Sequence, residues 1–277
     1  MSRARIDCLI DGRADDRLPA DDRGLLYGDA LFETMAFLNG RCPLWSRHWT
    51  RLRHGAGVLG IPLPEETLVE SECRRLLAGD ERAVIRLTLT RGSGGRAYWP
   101  APECRPRRIL QRRDWPPGIE QQHRSGLRVV RSSIRLEGSP TLGGLKHGNR
   151  LEQVLAAREC LERGADEAIL LDTDGCLAEA IASNLLLLID GECLAPDSRA
   201  AVAGVGLDWL LDQPEAGVRK ARLEASDLDR AESIMVINSV AGIRPVRELD
   251  GRALEIGGLC RRFQALWTQR LDPPCDD

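Results

Sequence analysis

The chain has 277 residues, enough for one large domain or two of ordinary size, and its 43% apolar and 29% charged residues describe a folded protein with a substantial core. A net charge of −3 gives no overall positive excess for nucleic acid, although local arginine clusters exist, and no run of roughly 18 apolar residues is present to span a membrane. The nine cysteines are widely spaced without a CxxC pair and only four histidines accompany them, so no metal site is expected. The opening stretch MSRARIDCLIDGRADD lacks the apolar segment of a signal peptide, and reduced thiols in a cytoplasmic protein follow.

In chain order, Ile6 to Arg13 reads as a strand entering a tight turn at Asp11-Gly12, and Leu31 to Trp45 repeats the pattern with a turn at Asn39-Gly40. A helix follows with Ser46 as its N-cap and Trp49, Leu52 and Ala56 at helical spacing. Pro64 to Gly79 is a second helix, with Leu68, Val69, Leu76 and Leu77 apolar. Val84 to Thr90 alternates as a half-buried strand and runs into the glycine-rich RGSGGRAY. RRILQRRD is a further short strand. Periodicity then fails over 114–126, around Pro116-Pro117, which sets a linker between a smaller α/β domain (1–113) and a larger domain (127–277).

The second half opens with the strand GLRVVRSSIRL and the loop EGSPTLGGLKHG. The helix NRLEQVLAARECLERGA carries Leu151, Val154, Leu155 and Leu161 on one side, the expected buried face. Strands turning at Asp174-Gly175 and Asp190-Gly191 follow, with Leu185 to Ile189 apolar throughout. Further elements are a helix after Val202–Gly206, a buried strand at Ser233–Ile237 and an amphipathic C-terminal helix. The composite is a mixed α/β chain rich in hairpins, without the serial βαβ pattern or GxGxxG of a dinucleotide-binding fold.

Several residues could carry chemistry. Lys146 follows two glycines and precedes a helix; a surface lysine is the ordinary alternative to a nucleophile. Glu179, flanked by alanines, is either solvated or buried against a cation such as a protonated heteroaromatic nitrogen. Arg51 suits a phosphate, or an acid on its own helix surface. Gly204, Val205 and Gly206 form a small-residue turn entering a helix, where backbone N–H groups can cup an anion. Asn238 and Ser239 follow a buried strand. The loop Arg91 to Tyr98 lacks the P-loop order and is either a plain hairpin or a mobile loop meeting an anionic substrate.

SRHWTRL, RGSGGRAY, LGGLKHGNRLEQVLAAR, DEAILLDTDGCLAEAIASNLLLL and INSVAGIRPV occur in an order and spacing that resemble the class IV pyridoxal-phosphate enzymes of fold type IV, which share the D-amino acid aminotransferase fold. The resemblance covers nearly the whole chain. It implies a two-domain enzyme holding pyridoxal 5'-phosphate in its larger domain and assembling as a homodimer. It implies that Lys146 is joined to the cofactor, that Glu179 pairs with its pyridine nitrogen, and that Arg51, Gly204–Gly206 and Asn238-Ser239 surround its phosphate. KHGNRLEQV and RGSGGRAY are most similar to the members that release 4-aminobenzoate and pyruvate from 4-amino-4-deoxychorismate in folate biosynthesis. Members that transfer amino groups of D-amino or branched-chain amino acids are the alternative; these more often have tyrosine where Arg150 follows Asn149. A small dicarboxylate substrate is implied, with Arg91, Arg96 or Arg150 as candidates to bind it. Leu207 stands where the family commonly has arginine, and Ala180 where it has glycine.

Overall fold

The computed structural model describes residues 7–271; Cys275 and the first six residues of the stretch read against a signal peptide lie outside them. The chain divides into two compact units. The first runs to Trp115 and takes in the separate segment Leu145–Asn149, while Pro116–Gly144 and the chain from Arg150 onward make up the second.

The first unit is built on five antiparallel strands. β1 (Cys8–Ile10) and β2 (Arg13–Ala14) form a hairpin in which Asp11 and Gly12 have φ of 50° and 77°, the left-handed pair that suits strand twist. Helix α1 (Arg23–Tyr27) precedes β3 (Ala30–Leu38), then come α2 (Trp45–Leu59), α3 (Glu66–Leu77), β4 (Arg82–Thr90) and β5 (Arg107–Asp114), with strand order β2-β1-β5-β4-β3. Alternation gives the sheet two unlike faces. Leu31, Met35, Phe37, Ile85, Leu87 and Leu89 pack with Trp49, Leu52 and Ala56 of α2 and Val69, Cys73 and Leu76 of α3. Each such buried Leu, Ile, Val, Met or Phe side chain contributes about 1.5–3 kcal/mol. The intervening positions Phe32, Thr34, Arg86 and Thr88 fall on the opposite face.

One expectation for these helices is corrected. α2 starts at Trp45, with Leu44 at its N-cap, so Ser46 lies inside the first turn. Trp45 stacks on Trp49 and donates from its indole N–H to Glu66, contacts that hold it in the helix. Leu68 of α3 is exposed, since Val69, Cys73 and Leu76 take the face toward the sheet.

The second unit begins within the stretch expected as linker, where α4 (Ile119–Ser125) is helical. β6 (Leu127–Leu136), α5 (Leu151–Glu162), β7 (Glu167–Asp172), β8 (Leu177–Ala180), β9 (Asn184–Ile189) and β10 (Glu192–Pro196) follow. The chain continues through α6 (Val205–Leu211), β11 (Val218–Ala221), α7 (Asp227–Arg230), β12 (Ser233–Asn238), β13 (Gly242–Leu249), β14 (Arg252–Ala253) and α8 (Gly258–Leu271). The sheet order is β11-β10-β9-β12-β13-β6-β7-β8, with β14 on β13. β6 runs parallel to both β13 and β7, and β10 to β11; the other pairs are antiparallel.

The buried face of α5 is not the expected one. Leu151, Val154, Leu155 and Leu161 are 74%, 60%, 50% and 78% exposed, whereas Gln153, Ala156 and Cys160 are buried. Ala156 packs with Leu136 and Leu170, and Cys160 with Val130 and Ala168, so the helix lies on β6 and β7 through its small residues. Among the described residues all cysteines are free, no helix is long and apolar enough to cross a membrane, and no group of three or more His, Cys, Asp or Glu could hold a metal.

Candidate active site

Lys146 lies on a segment that runs along β3. The Phe32 N–H donates to the Lys146 carbonyl at 2.9 Å and the Gly148 N–H to that of Ala30 at 2.8 Å. Gly28 has φ of 65°, and a Cβ there would come within 1.9 Å of the Asn149 amide oxygen, so only glycine admits the segment at this distance. The half-buried Lys146 places its Nζ 4.5 Å from the centroid of the Phe32 ring, and the Arg86 guanidinium carbon lies 3.9 Å from the same centroid.

On the core face of the same unit, Glu33, His48 and Arg51 form a buried triad. Arg51 donates from Nε to Glu33 Oε1 at 2.8 Å and from Nη2 to Oε2; His48 Nδ1 is 2.6 Å from Oε2. Burial pushes the Glu33 carboxyl up, but the Arg51 charge and the hydrogen bonds from Arg51 and His48 outweigh it and lower its pKa to about 2. Burial lowers the pKa of His48, against the Glu33 interactions and with the charges of Arg51 and Lys146. The imidazole is then neutral with its proton on Nδ1, directed at the carboxylate.

The second unit gathers a separate set. Glu179, on β8, is buried; its Oε2 accepts the Val202 N–H at 2.8 Å and its Oε1 the Gln153 amide at 3.3 Å. Val202 in turn accepts from Asn184 Nδ2 at 3.0 Å, and the Ala203 N–H donates to the Gly144 carbonyl at 3.0 Å. These bonds fix the approach to α6. A Cβ on Gly204 would lie 1.7 Å from Asn184 Oδ1, and one on Gly206 would lie 3.3 Å from the Asn238 backbone. Asn238 donates to the Ala182 carbonyl and to Ser183 Oγ, and accepts the Val240 and Ala241 N–H groups, which closes the turn containing Ser239. Leu207 is buried with Val205 and Gly206, and the Ala180 N–H donates to the Ser183 carbonyl.

Of the sequence candidates, Arg51 and Lys146 therefore share the first unit, and Glu179, Gly204, Val205, Gly206, Asn238 and Ser239 the second. The three arginines differ. Arg91 is committed to structure: Nε and Nη2 engage Asp29, and Nη1 and Nη2 donate to the Gly60 and Leu59 carbonyls. A guanidinium so engaged is a clamp between loops. Arg96 is exposed in a turn bridged to Trp99, and Arg150 is the half-buried N-cap residue of α5. Sequence reasoning missed Glu33, His48, Gln153 and Arg86. Glu33 left a trace, because it occupies a core-facing position of an alternating strand, where a carboxylate requires a cation.

Residues 30–249 match the family described as Amino-transferase class IV. The chain belongs to that family. The match includes every candidate residue placed above. The structure is similar to that of 4-amino-4-deoxychorismate lyase from Pseudomonas aeruginosa, with a TM-score of 0.88 and 39% identity over 96% of this chain and 99% of that one. Aminodeoxychorismate lyase of Vibrio harveyi is 28% identical over 92% of this chain and 97% of its own. A putative branched-chain-amino-acid aminotransferase of Methanocaldococcus jannaschii is 28% identical over 90% of each.

Class IV enzymes depend on pyridoxal phosphate, and the residues present fit that group. A buried carboxylate fixed by the neutral donors Val202 N–H and Gln153 suits a protonated ring nitrogen. A turn from which Asn184 and Asn238 exclude side chains at Gly204 and Gly206 leaves backbone open to a phosphate. A half-buried lysine facing an aromatic ring is of a residue type able to supply an amine to such a group.

Proposed function

We propose that this class IV enzyme is a lyase converting 4-amino-4-deoxychorismate into 4-aminobenzoate and pyruvate, working in the cytoplasm as a homodimer. The observation that carries this reading is the 39% identity to the P. aeruginosa lyase, sustained over 96% of this chain and 99% of that one. The archaeal aminotransferase relative reaches 28%. The exposed leucines and valine of α5 are the kind of surface that a second copy covers.

In this reading Lys146 holds the cofactor and supplies the base. Glu179 keeps the cofactor's ring nitrogen protonated. Arg51, the N–H groups of Gly204, Val205 and Gly206, and the Asn238-Ser239 turn hold its phosphate. When bound, pyridoxal phosphate draws electrons from the substrate carbon that bears the amine. Lys146 Nζ, displaced by the substrate amine, takes the proton from ring C4. The C3–O bond to the enolpyruvyl group breaks as the ring becomes aromatic. The resulting Lys146 ammonium returns its proton to the enolpyruvate methylene carbon, giving pyruvate, so one residue serves as base and then acid. Arg91, Arg96 and Arg150 are the candidates for the substrate carboxylates.

Amino-group transfer from D-amino or branched-chain amino acids is the second reading, favoured by the archaeal relative. Purified protein loaded with pyridoxal phosphate separates the two. It is incubated with 4-amino-4-deoxychorismate, and separately with D-alanine or leucine plus 2-oxoglutarate. Formation of 4-aminobenzoate supports the lyase; glutamate formation without 4-aminobenzoate refutes it.

A further inference from the structure

The second unit buries a carboxylate and a guanidinium that the proposed chemistry does not use. Glu167, at the start of β7, is 5% exposed, and Arg244, on β13, is 8% exposed. They meet through Ser183, itself buried, in the turn between Glu179 and Asn184. Arg244 donates from Nη2 to Ser183 Oγ at 2.9 Å and from Nη1 to Gln122 Oε1 at 3.0 Å. Asn238 Nδ2 donates to the same Ser183 Oγ at 3.1 Å. A hydroxyl has two lone pairs and one hydrogen, so with both lone pairs taken its hydrogen is left for Glu167 Oε2, 3.4 Å away. Glu167 Oε1 accepts the Ile181 N–H at 3.0 Å, which ties down the same turn.

Core stability does not account for this pair. Arg244 lies opposite Val236 and two residues from Val246, and Glu167 lies opposite Val129, all members of one apolar core. Burial raises the pKa of Glu167 against the Arg244 charge, and lowers that of Arg244 against the charges of Glu167 and Asp166. Apolar side chains at both positions would continue the core without that cost, and such an exchange is often neutral or stabilising. Nor is Arg244 a plain counter-ion. Its Nη1 and Nη2 go to Gln122 and Ser183, and its Nε is buried with no acceptor among the described residues. What the arrangement does is orient Ser183, and through it Asn238. The Asn238 amide is then held at both ends, by Ser183 and the Ala182 carbonyl on one side and by the Val240 and Ala241 N–H groups on the other.

We propose that Arg244 is a positioning residue of the cofactor site, acting through Ser183 and Asn238 to hold the turn at Ser239 in the shape that receives the phosphate. The proposal rests on the reading of the Asn238-Ser239 turn as part of the phosphate site, and it holds whether the enzyme eliminates or transfers amino groups. Glu167 draws the Ser183 hydrogen to itself, which leaves the oxygen open to both donors.

The test compares the affinity of the full-length protein, freed of cofactor, for pyridoxal phosphate and for pyridoxal, which lacks the phosphate. Arg244→Met and Ser183→Ala are each expected to lower the preference for pyridoxal phosphate over pyridoxal by about tenfold or more, with affinity for pyridoxal much less affected. Arg244→Lys should recover part of the preference, because an ammonium can still donate to Ser183. If Arg244→Met folds poorly because Glu167 is stranded, the double variant Arg244→Met with Glu167→Gln removes both charges and should show the same loss of preference. Loss of affinity for both compounds in equal proportion would overturn the proposal, since the network would then support the fold alone. So would an unchanged preference in Arg244→Met and Ser183→Ala while Asn238→Ala loses it, an outcome that leaves the phosphate reading of the turn standing. An unchanged preference in Asn238→Ala as well would overturn that reading together with the proposal.

Discussion

Glu33 and Arg51 form a two-pronged ion pair with side chains 2% and 10% exposed, and His48 adds a third contact to the same carboxylate. Glu33 thereby fixes the guanidinium that the proposed function gives to a phosphate. Breaking one partner of such a pair strands the other charge, at a cost of about 3–5 kcal/mol. Glu33→Gln is therefore expected to lower the unfolding free energy by about 3 kcal/mol in urea and to weaken the binding of pyridoxal phosphate. A variant as stable as the parent would show that Arg51 is held by something else.

The same triad sets an acid dependence. Glu33 has its pKa depressed from 4.5 to about 2, so its contribution is complete above pH 4.5 and is lost as pH falls toward 2. His48, with its pKa lowered, binds its proton more readily when unfolded, and stability also declines as pH falls below the ordinary value of 6.5. Stability followed by chemical denaturation from pH 7 to pH 3 should thus decline in two stages, and Glu33→Gln should flatten the lower one. Parallel curves for variant and parent would dismiss Glu33 as the source.

For Lys146 the expected consequence is chemical. Lys146→Ala removes the amine while Phe32, Arg86 and the backbone bonds to β3 remain, so the fold should persist. Loss of a positioned base costs about 10²–10⁴-fold, and loss of the covalent partner adds to it. Turnover should disappear, and so should the near-visible band of lysine-linked cofactor. Persistence of that band in the variant would remove Lys146 from its proposed role.

How far these relationships were legible in the sequence depends on their range. Asp11-Gly12 and Asn39-Gly40 were readable because a left-handed turn is a local demand on two residues. The helix α5 was readable as a helix but not as to which face it buries. Periodicity locates an apolar stripe, and here Ala156 and Cys160 meet the sheet while the leucines face out. Arg51 was a candidate from its residue type, but its acid lies 18 residues earlier on another element. Arg91 was a candidate from its loop and residue type, and its bonds to Asp29 and the Gly60 carbonyl arise only on folding. Arg86 sat unremarked in an alternating strand, at a position that pattern alone assigns to the non-core face.

Glu179→Gln separates charge from packing. Gln153 donates to Glu179 from Nε2 and leaves its own Oε1 buried without a partner. A turned Gln153 amide could accept from the new amide at 179, whose oxygen would still accept the Val202 N–H. Stability should change by less than about 1 kcal/mol, since only the charge is lost. Turnover should fall by about 100-fold as the ring nitrogen loses its anion. A turnover rate equal to the parent's would argue against the assignment of Glu179.

Gly204→Ala tests the α6 turn by volume. Its φ of −72° is open to any residue, so the constraint is space: a Cβ would come within 1.7 Å of Asn184 Oδ1. Relief requires Asn184 to give up its bond to the Val202 carbonyl or the turn to shift, at a cost of about 1–3 kcal/mol. Either movement displaces the N–H groups of Val205 and Gly206 and disturbs Val202, the donor to Glu179. Affinity for pyridoxal phosphate should fall about tenfold or more, read from the loss of bound cofactor on dilution. Adding Asn184→Ala removes the amide that blocks the Cβ and should restore part of that affinity to Gly204→Ala. Equal weakening with and without Asn184 would mean that the glycine serves the phosphate by direct approach alone.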